Sequence, residues 1–219
     1  MQVKGDYHGK GYALIEGLIP PELAKVFLNR LKTDMERVRL PLSHFATTSP
    51  ILNQSAIEIA GVQYRPMIPF LWGLTPTMSQ LTGKDLLPSY NYFRIYREGD
   101  VCKVHSDRES CEHSLSLTLG YSDGKGWDLA LGKDRIDEAG GPVADDFEGK
   151  AFTSLPMRPG DAVLYQGVHY RHGRVTPNPN RWSAHMFLHW VDRDGPHAAQ
   201  AFDAVAARQP ASDKIDFDI

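Results

Sequence analysis

The chain has 219 residues, 42% of them apolar and 23% charged, which suits one soluble globular domain with a buried core. Its formal net charge of −3 speaks against nucleic acid as a partner, and two cysteines, Cys102 and Cys111, are too few for a secreted disulfide scaffold and read as reduced thiols. Residues 1–18 lack the apolar run of a secretory leader, and no stretch approaches the roughly 18 apolar residues of a membrane helix, so a cytoplasmic protein with no membrane partner is expected.

Gly11 to Ile19 reads as a short strand. Pro20-Pro21 then opens a helix, a favoured place for proline. Leu23, Val26, Phe27, Leu31, Met35 and Val38 recur at steps of three and four, and Pro41 ends the run. Residues 42–67 have no clean period. Phe70 to Leu81 predicts a second helix, stopped by Gly83.

From Ser89 the period changes to two. Tyr90, Tyr92, Arg94 and Tyr96 alternate with Asn91, Phe93, Ile95 and Arg97. After a turn at 98–100, Val101 to Asp107 is the next strand. Leu115, Leu117 and Leu119 alternate with Ser114, Ser116 and Thr118. Short strands follow at 127–131, 152–155 and 162–165, with an exposed excursion rich in Gly, Asp and Glu over 132–150. Arg181 to Trp190 is a long final strand, and an Ala-rich helix and polar tail lie beyond Asp194. Many short strands after N-terminal helices predict a mainly β, jelly-roll-like barrel with helical support. The expected division is support over 1–88, barrel over 89–192 and tail over 193–219, in one domain.

Within that barrel, His105-Ser106-Asp107 carries the most chemistry. Side chains at i and i+2 of a strand point to one side, so His105 and Asp107 could hold one metal ion together. A second His would complete a two-His, one-carboxylate set with open positions, the arrangement of non-heme Fe(II) oxygenases. His169 and His172 lie in the segment that could supply it, and His113, His185 and His189 compete. Arg181 and Ser183 also stand at i and i+2, on the side of the last strand opposite Trp182, Ala184, Met186 and Leu188. His185 is in phase with them. An Arg on a buried face calls for an anionic partner, and its planar fork suits a carboxylate.

Taken together, Tyr96, His105-x-Asp107, Gly160-Asp161, His172 followed by Val175 and Pro177, and Arg181-x-Ser183 resemble the motif set of the Fe(II)/2-oxoglutarate-dependent dioxygenases, prolyl-hydroxylase-like branch. The opening Gly11 to Leu23 is similar to the start of that branch, and the resemblance covers residues 10–192. It implies a double-stranded β-helix and iron-dependent oxidation with 2-oxoglutarate and dioxygen as co-substrates. It implies His105, Asp107 and His172 as metal ligands, because the nine positions from His172 to Arg181 match the family spacing better than the twelve from His169. It makes Arg181 and Ser183 the anchor of the far 2-oxoglutarate carboxylate and Tyr96 a hydrogen-bond donor to the same molecule. Tyr92 and Arg94 share the face of Tyr96 and are further candidates for the cavity wall.

The reaction so implied hydroxylates a C–H bond of an amino acid, a protein side chain or a small metabolite, and releases succinate and CO2. The carboxylate at Asp107 argues against halogenases of this type, which leave that ligand position vacant. Two other readings use the same residues: a metal-binding barrel that senses or binds without turnover, and a cupin-like metal enzyme that does not use 2-oxoglutarate. The regions 42–67 and 123–150 are the expected places for a substrate lid.

Overall fold

The computed structural model describes residues 1–137 and 139–202. Two antiparallel sheets dominate it. The strands in chain order are β1 (Gln2–Asp6), β2 (Tyr12–Glu16), β3 (Ala46–Thr47), β4 (Ala56–Ala60), β5 (Leu86–Arg97), β6 (Cys102–His105), β7 (His113–Tyr121), β8 (Leu129–Arg135), β9 (Phe152–Leu155), β10 (Ala162–Tyr165), β11 (Tyr170–Arg174) and β12 (Trp182–Asp192). The larger sheet has the order β1-β2-β10-β7-β12-β5-β4-β3, and the smaller the order β6-β11-β8-β9. This is the jelly-roll, double-stranded β-helix arrangement that the strand pattern predicts.

The alternation in β7 and β12 explains how the larger sheet is used. Leu115, Leu117 and Leu119 of β7 and Ala184, Met186, Leu188 and Trp190 of β12 belong to the main apolar core. There they meet Phe27 and Leu31 of helix α2 (Pro21–Arg37) and Leu71 and Met78 of helix α3 (Ile68–Thr82). The alternate residues, Ser114, Ser116 and Thr118 on β7 and Ser183, His185 and His189 on β12, are buried as well. They lie on the opposite face of the sheet. A strand buried on both sides needs polar residues only where something polar awaits them, so this second face marks the interior of the barrel.

Both predicted helices are present. Pro21 occupies the first turn of α2. Gly83 closes α3 in the left-handed conformation, at φ 64°, which glycine adopts without steric cost. A further single turn, α1, spans Tyr7–Lys10. The N-terminal region is more than helical support: β1 to β4 extend the larger sheet at both of its edges. Residues 42–67, without a readable period, contain β4 pairing with β5. Beyond Asp194 a single 3-10 turn, Ala198–Gln200, is found; the rest of the expected Ala-rich helix and tail lies outside the described residues. Among the described residues no helix is long and apolar enough to cross a membrane.

Two further boundaries differ from expectation. Strand β6 ends at His105, so Asp107 sits in the loop after it rather than on the strand. The 132–150 excursion is not free. Strand β8 continues through it to Arg135, and Phe147 is buried against Val104 and Ala130. The segment is then tied to the β6 end by Ala144 pairing with Val104 and by Lys103 to Asp145, 2.7 Å. Several of its acidic groups are thus paired within the chain, as in Arg171 to Glu148 at 2.9 Å.

Candidate metal centre

Strands β6 and β11 run antiparallel with His105 directly opposite His172. Residues opposed across a ladder project to one face, and the two imidazole centroids are 4.5 Å apart. Each ring is fixed from behind by its own strand. His105 Nδ1 lies 2.8 Å from the Lys103 carbonyl oxygen, and His172 Nδ1 lies 2.9 Å from that of Tyr170. A carbonyl oxygen only accepts, so Nδ1 carries the proton and Nε2 presents its lone pair. This is the tautomer that binds metals, held by the usual kind of supporting contact.

Asp107 completes the group. Its Oδ1 is 3.6 Å from His105 Nε2 and 3.4 Å from His172 Nε2. Around one ion with bonds of about 2.1 Å at right angles, neighbouring ligand atoms stand about 3 Å apart. A closing movement of a few tenths of an ångström would bring these three onto one ion. The Asp107 backbone N–H donates to the Gly167 carbonyl at 2.9 Å, and its own carbonyl accepts from Gly140 at 2.9 Å, so the loop is held at both faces of the peptide. His169 is not part of the group. Its Nδ1 faces the Ile136 carbonyl instead, at 3.1 Å.

Charge in this cluster follows from burial and neighbours. Burial, with His172 alongside, pushes His105 down to about 4, so it is neutral at pH 7. Burial disfavours charge on Asp107 too, but the imidazoles of His172 and His105 outweigh it and hold the carboxyl far below its ordinary value. Burial likewise opposes a charge on His172, and the Asp107 carboxylate overrides that and raises it. One ionised carboxylate and two imidazole lone pairs at one point form a donor set for a divalent transition metal.

A cavity opens between the sheets beside these groups. Tyr92, Arg94, Tyr96 and Phe187 line it from the larger sheet, and Leu129 and Arg174 from the smaller. The in-phase set read from β5 is therefore on its wall. Tyr96 is 1% exposed, and its hydroxyl accepts from Arg94 Nη1 at 3.0 Å. Arg94 is also paired to Glu58, at 2.6 Å.

Arg174 is different. It is 1% exposed, and no carboxylate among the described residues pairs with it. Its guanidinium donates to the Trp127 carbonyl, lies 4.9 Å over the Trp127 ring and reaches His185 Nδ1 at 3.3 Å. A guanidinium only donates, so His185 Nδ1 accepts and its proton is on Nε2. That buried N–H has no partner among the described residues.

Arg181 and Ser183 do not line this cavity. Arg181 precedes the first residue of β12; its side chain is 74% exposed and meets Asp123 at 3.3 Å. Alternation carried one residue past the start of the strand placed it inward, where the chain has already left the sheet. Ser183 is fully buried, but its hydroxyl donates to Asn178 Oδ1 at 2.7 Å and accepts from Asn180 Nδ2 at 3.3 Å. It closes the turn leading into β12. The cavity-wall residue that sequence reading missed is Arg174. Its signal was present: it stands two positions from His172, and had Tyr170–Arg174 been read as a strand, both would have been placed on one face.

No protein-family model matches the chain, and no curated protein matches it in sequence. Solved structures do match in shape. The non-heme alpha-ketoglutarate-dependent carbocyclase SnoK from nogalamycin biosynthesis superposes with a TM-score of 0.66 at 12% identity, over 86% of this chain and 82% of that one. A Pseudomonas putida prolyl-4-hydroxylase gives 0.56 at 15% identity, over 84% and 95%. HygX from Streptomyces hygroscopicus, solved with nickel and 2-oxoglutarate bound, gives 0.61 at 10% identity, over 86% and 85%. In fold, therefore, the chain is a double-stranded β-helix of the kind found in Fe(II)/2-oxoglutarate-dependent oxygenases, with a prolyl hydroxylase among its structural neighbours.

Proposed function

We propose that the protein is an Fe(II)- and 2-oxoglutarate-dependent dioxygenase that hydroxylates a C–H bond of a small-molecule or peptide substrate, releasing succinate and CO2. The observation that carries this reading is a single cavity with three metal-ligand-type atoms at one end and, in its wall, a buried guanidinium that pairs with no carboxylate among the described residues. His105, Asp107 and His172 would hold the iron, which supplies the activation of dioxygen when bound. Three protein ligands leave room for a chelating 2-oxo acid and for dioxygen.

The chain's own residues then bind and orient. Arg174 would hold the far carboxylate of 2-oxoglutarate, and Tyr96 lines the same cavity. Charge supports this. A divalent ion, the Asp107 carboxylate and the Arg174 guanidinium sum to +2, and Arg94 is already neutralised by Glu58. A dicarboxylate brings the buried cluster to neutrality, which a low-dielectric interior favours. A cupin-like enzyme without 2-oxoglutarate would use Arg174 only to brace Trp127 and His185, so this feature favours the 2-oxoglutarate reading. Apolar and aromatic walls, Leu129, Tyr165 and Phe187, exclude water from the reacting atoms. The structural neighbours include an enzyme of nogalamycin biosynthesis and a prolyl hydroxylase, which supports a small-molecule or peptide substrate.

The test is succinate formation from 2-oxoglutarate in the presence of Fe(II), first alone and then with metabolite and peptide pools. Slow uncoupled turnover alone and faster turnover with a pool is the expected result. No succinate under any condition removes the enzymatic reading and leaves a metal-binding barrel.

A further inference from the structure

Asp107 belongs to two groups of ligand-type atoms. One is the set with His105 and His172; the other joins it to Cys111 and His189. The link to His189 runs through Ser114. Its hydroxyl lies 3.2 Å from Asp107 Oδ2, 3.1 Å from the Cys111 carbonyl and 2.9 Å from His189 Nδ1. Ser114 and His189 are direct partners across β7 and β12, so the contact is built into the sheet.

A hydroxyl has one proton, and two of these three partners can only accept. His189 Nδ1 is the one that can donate to it. The arrangement that leaves Asp107 satisfied has His189 Nδ1–H donating to Ser114 Oγ, and Ser114 O–H donating on to Asp107 Oδ2. The His189 ring is held in place for this by stacking on Tyr90, with centroids 4.6 Å apart.

We propose that Ser114 and His189 are a positioning pair that ties back Asp107 Oδ2, so that the carboxylate offers the metal one oxygen only. The proposal rests on the reading of His105, Asp107 and His172 as a metal centre. The two oxygens of Asp107 are already differentiated: Oδ1 faces both imidazoles, and Oδ2 faces Ser114. Gly167 crowds the same oxygen. A Cβ there would stand 2.3 Å from Oδ2 and 2.7 Å from Ser114 Oγ. The consequence is chemical. A carboxylate bound through both oxygens fills a second position on the ion. A two-atom chelating co-substrate and a third ligand could not then all bind.

The probe is Co(II), titrated into metal-free protein and followed by its visible absorption, with 2-oxoglutarate added afterwards. In Ser114→Ala, Co(II) is expected to bind at least as tightly as in wild type, with a changed visible spectrum. Affinity of the Co(II) protein for 2-oxoglutarate is expected to fall roughly tenfold. Ser114→Thr, which keeps the hydroxyl, restores both. His189→Phe keeps the ring stack and removes Nδ1, and shifts both readouts in the same direction by less; it also serves if Ser114→Ala fails to fold. Unchanged 2-oxoglutarate affinity in Ser114→Ala and His189→Phe, or metal and 2-oxoglutarate affinities falling together, overturns the proposal. Failure of the wild-type protein to bind Co(II) overturns the metal-centre reading itself, which is a separable outcome.

Discussion

The two ends of the interior cavity are made from opposite kinds of polar group. At the His105, Asp107 and His172 end, lone pairs converge: two imidazole Nε2 atoms and a carboxylate oxygen. At the Arg174 end stands a donor: a buried guanidinium that pairs with no carboxylate among the described residues. The first end calls for a cation and the second for an anion. The means of support differ too. Each metal-end imidazole is fixed by a carbonyl of its own strand, a short backbone contact. Arg174 is fixed by the Trp127 carbonyl and ring, a contact from the loop before β8. Small rigid side chains on paired strands suit the ion, where tenths of an ångström matter. A long side chain reaching in suits a carboxylate held at a distance.

The largest expected effect breaks the lone-pair end. His172→Ala removes one of the three proposed ligands, and Co(II) or Fe(II) affinity measured by calorimetry should fall by more than about 100-fold, beyond what loss of a supporting contact costs. His169→Ala is the matched control, because His169 is bonded to the Ile136 carbonyl; metal affinity should stay at the wild-type value. The reverse pattern would move the metal end elsewhere.

The next effect breaks the other end alone. Arg174→Met keeps an unbranched chain of similar reach and removes the charge. Metal affinity should be retained, while 2-oxoglutarate affinity of the metal-loaded protein falls about 10- to 100-fold, the usual worth of a buried hydrogen bond to a charged group. Equal loss of both would mean that the two ends are not separate sites.

How far the comparison was readable from the sequence follows from how each end is built. The inward and outward faces of β7 and β12 were legible, because Leu115, Leu117 and Leu119 and then Ala184, Met186 and Leu188 keep strict alternation over long strands. That His105, Asp107 and His172 come together was legible through the family resemblance rather than from His-x-Asp alone, which is a loose motif, and it held even though β6 stops at His105. There Asp107 is aimed by the Gly167 carbonyl and not by strand pleating. Strand β11 was not legible. Its sequence, Tyr-Arg-His-Gly-Arg, has no β-branched residue, two charges and a glycine, so local propensity argues against a strand that tertiary pairing nevertheless imposes. With β11 unread, Arg174 had no face, and Arg181 was the arginine that alternation and the family resemblance offered for a carboxylate.

Gly167→Ala sharpens the metal end. Its backbone is not in the left-handed region, so the substitution costs little locally, but the new Cβ meets Asp107 Oδ2 at 2.3 Å and the Cys111 carbonyl at 2.6 Å. With a backbone oxygen and the bonded Asp107 carboxylate both this close, there is no easy relief. The expected result is a loss of about 1–3 kcal/mol in stability by denaturant titration, with metal affinity down roughly tenfold. Full metal affinity in a destabilised protein would show that Asp107 gives way more easily than its bonded neighbours suggest.

The smallest effect is the most informative about the anion end. Arg181→Ala should leave 2-oxoglutarate affinity and KM within about twofold of wild type and change stability by less than about 0.5 kcal/mol, as for most surface substitutions. Its ion pair with Asp123 is exposed, and exposed pairs contribute little. Asp123 also keeps its other partners: the Arg181 backbone N–H at 2.8 Å, which any residue but proline supplies, and the Ser122 hydroxyl at 2.6 Å. The turn before β12 therefore survives the change. A steep rise in KM for 2-oxoglutarate would instead require Arg181 to swing from the surface into the barrel on binding. The carboxylate would then be held by the residue nine positions after His172, and Arg174 would be left to brace Trp127 and His185.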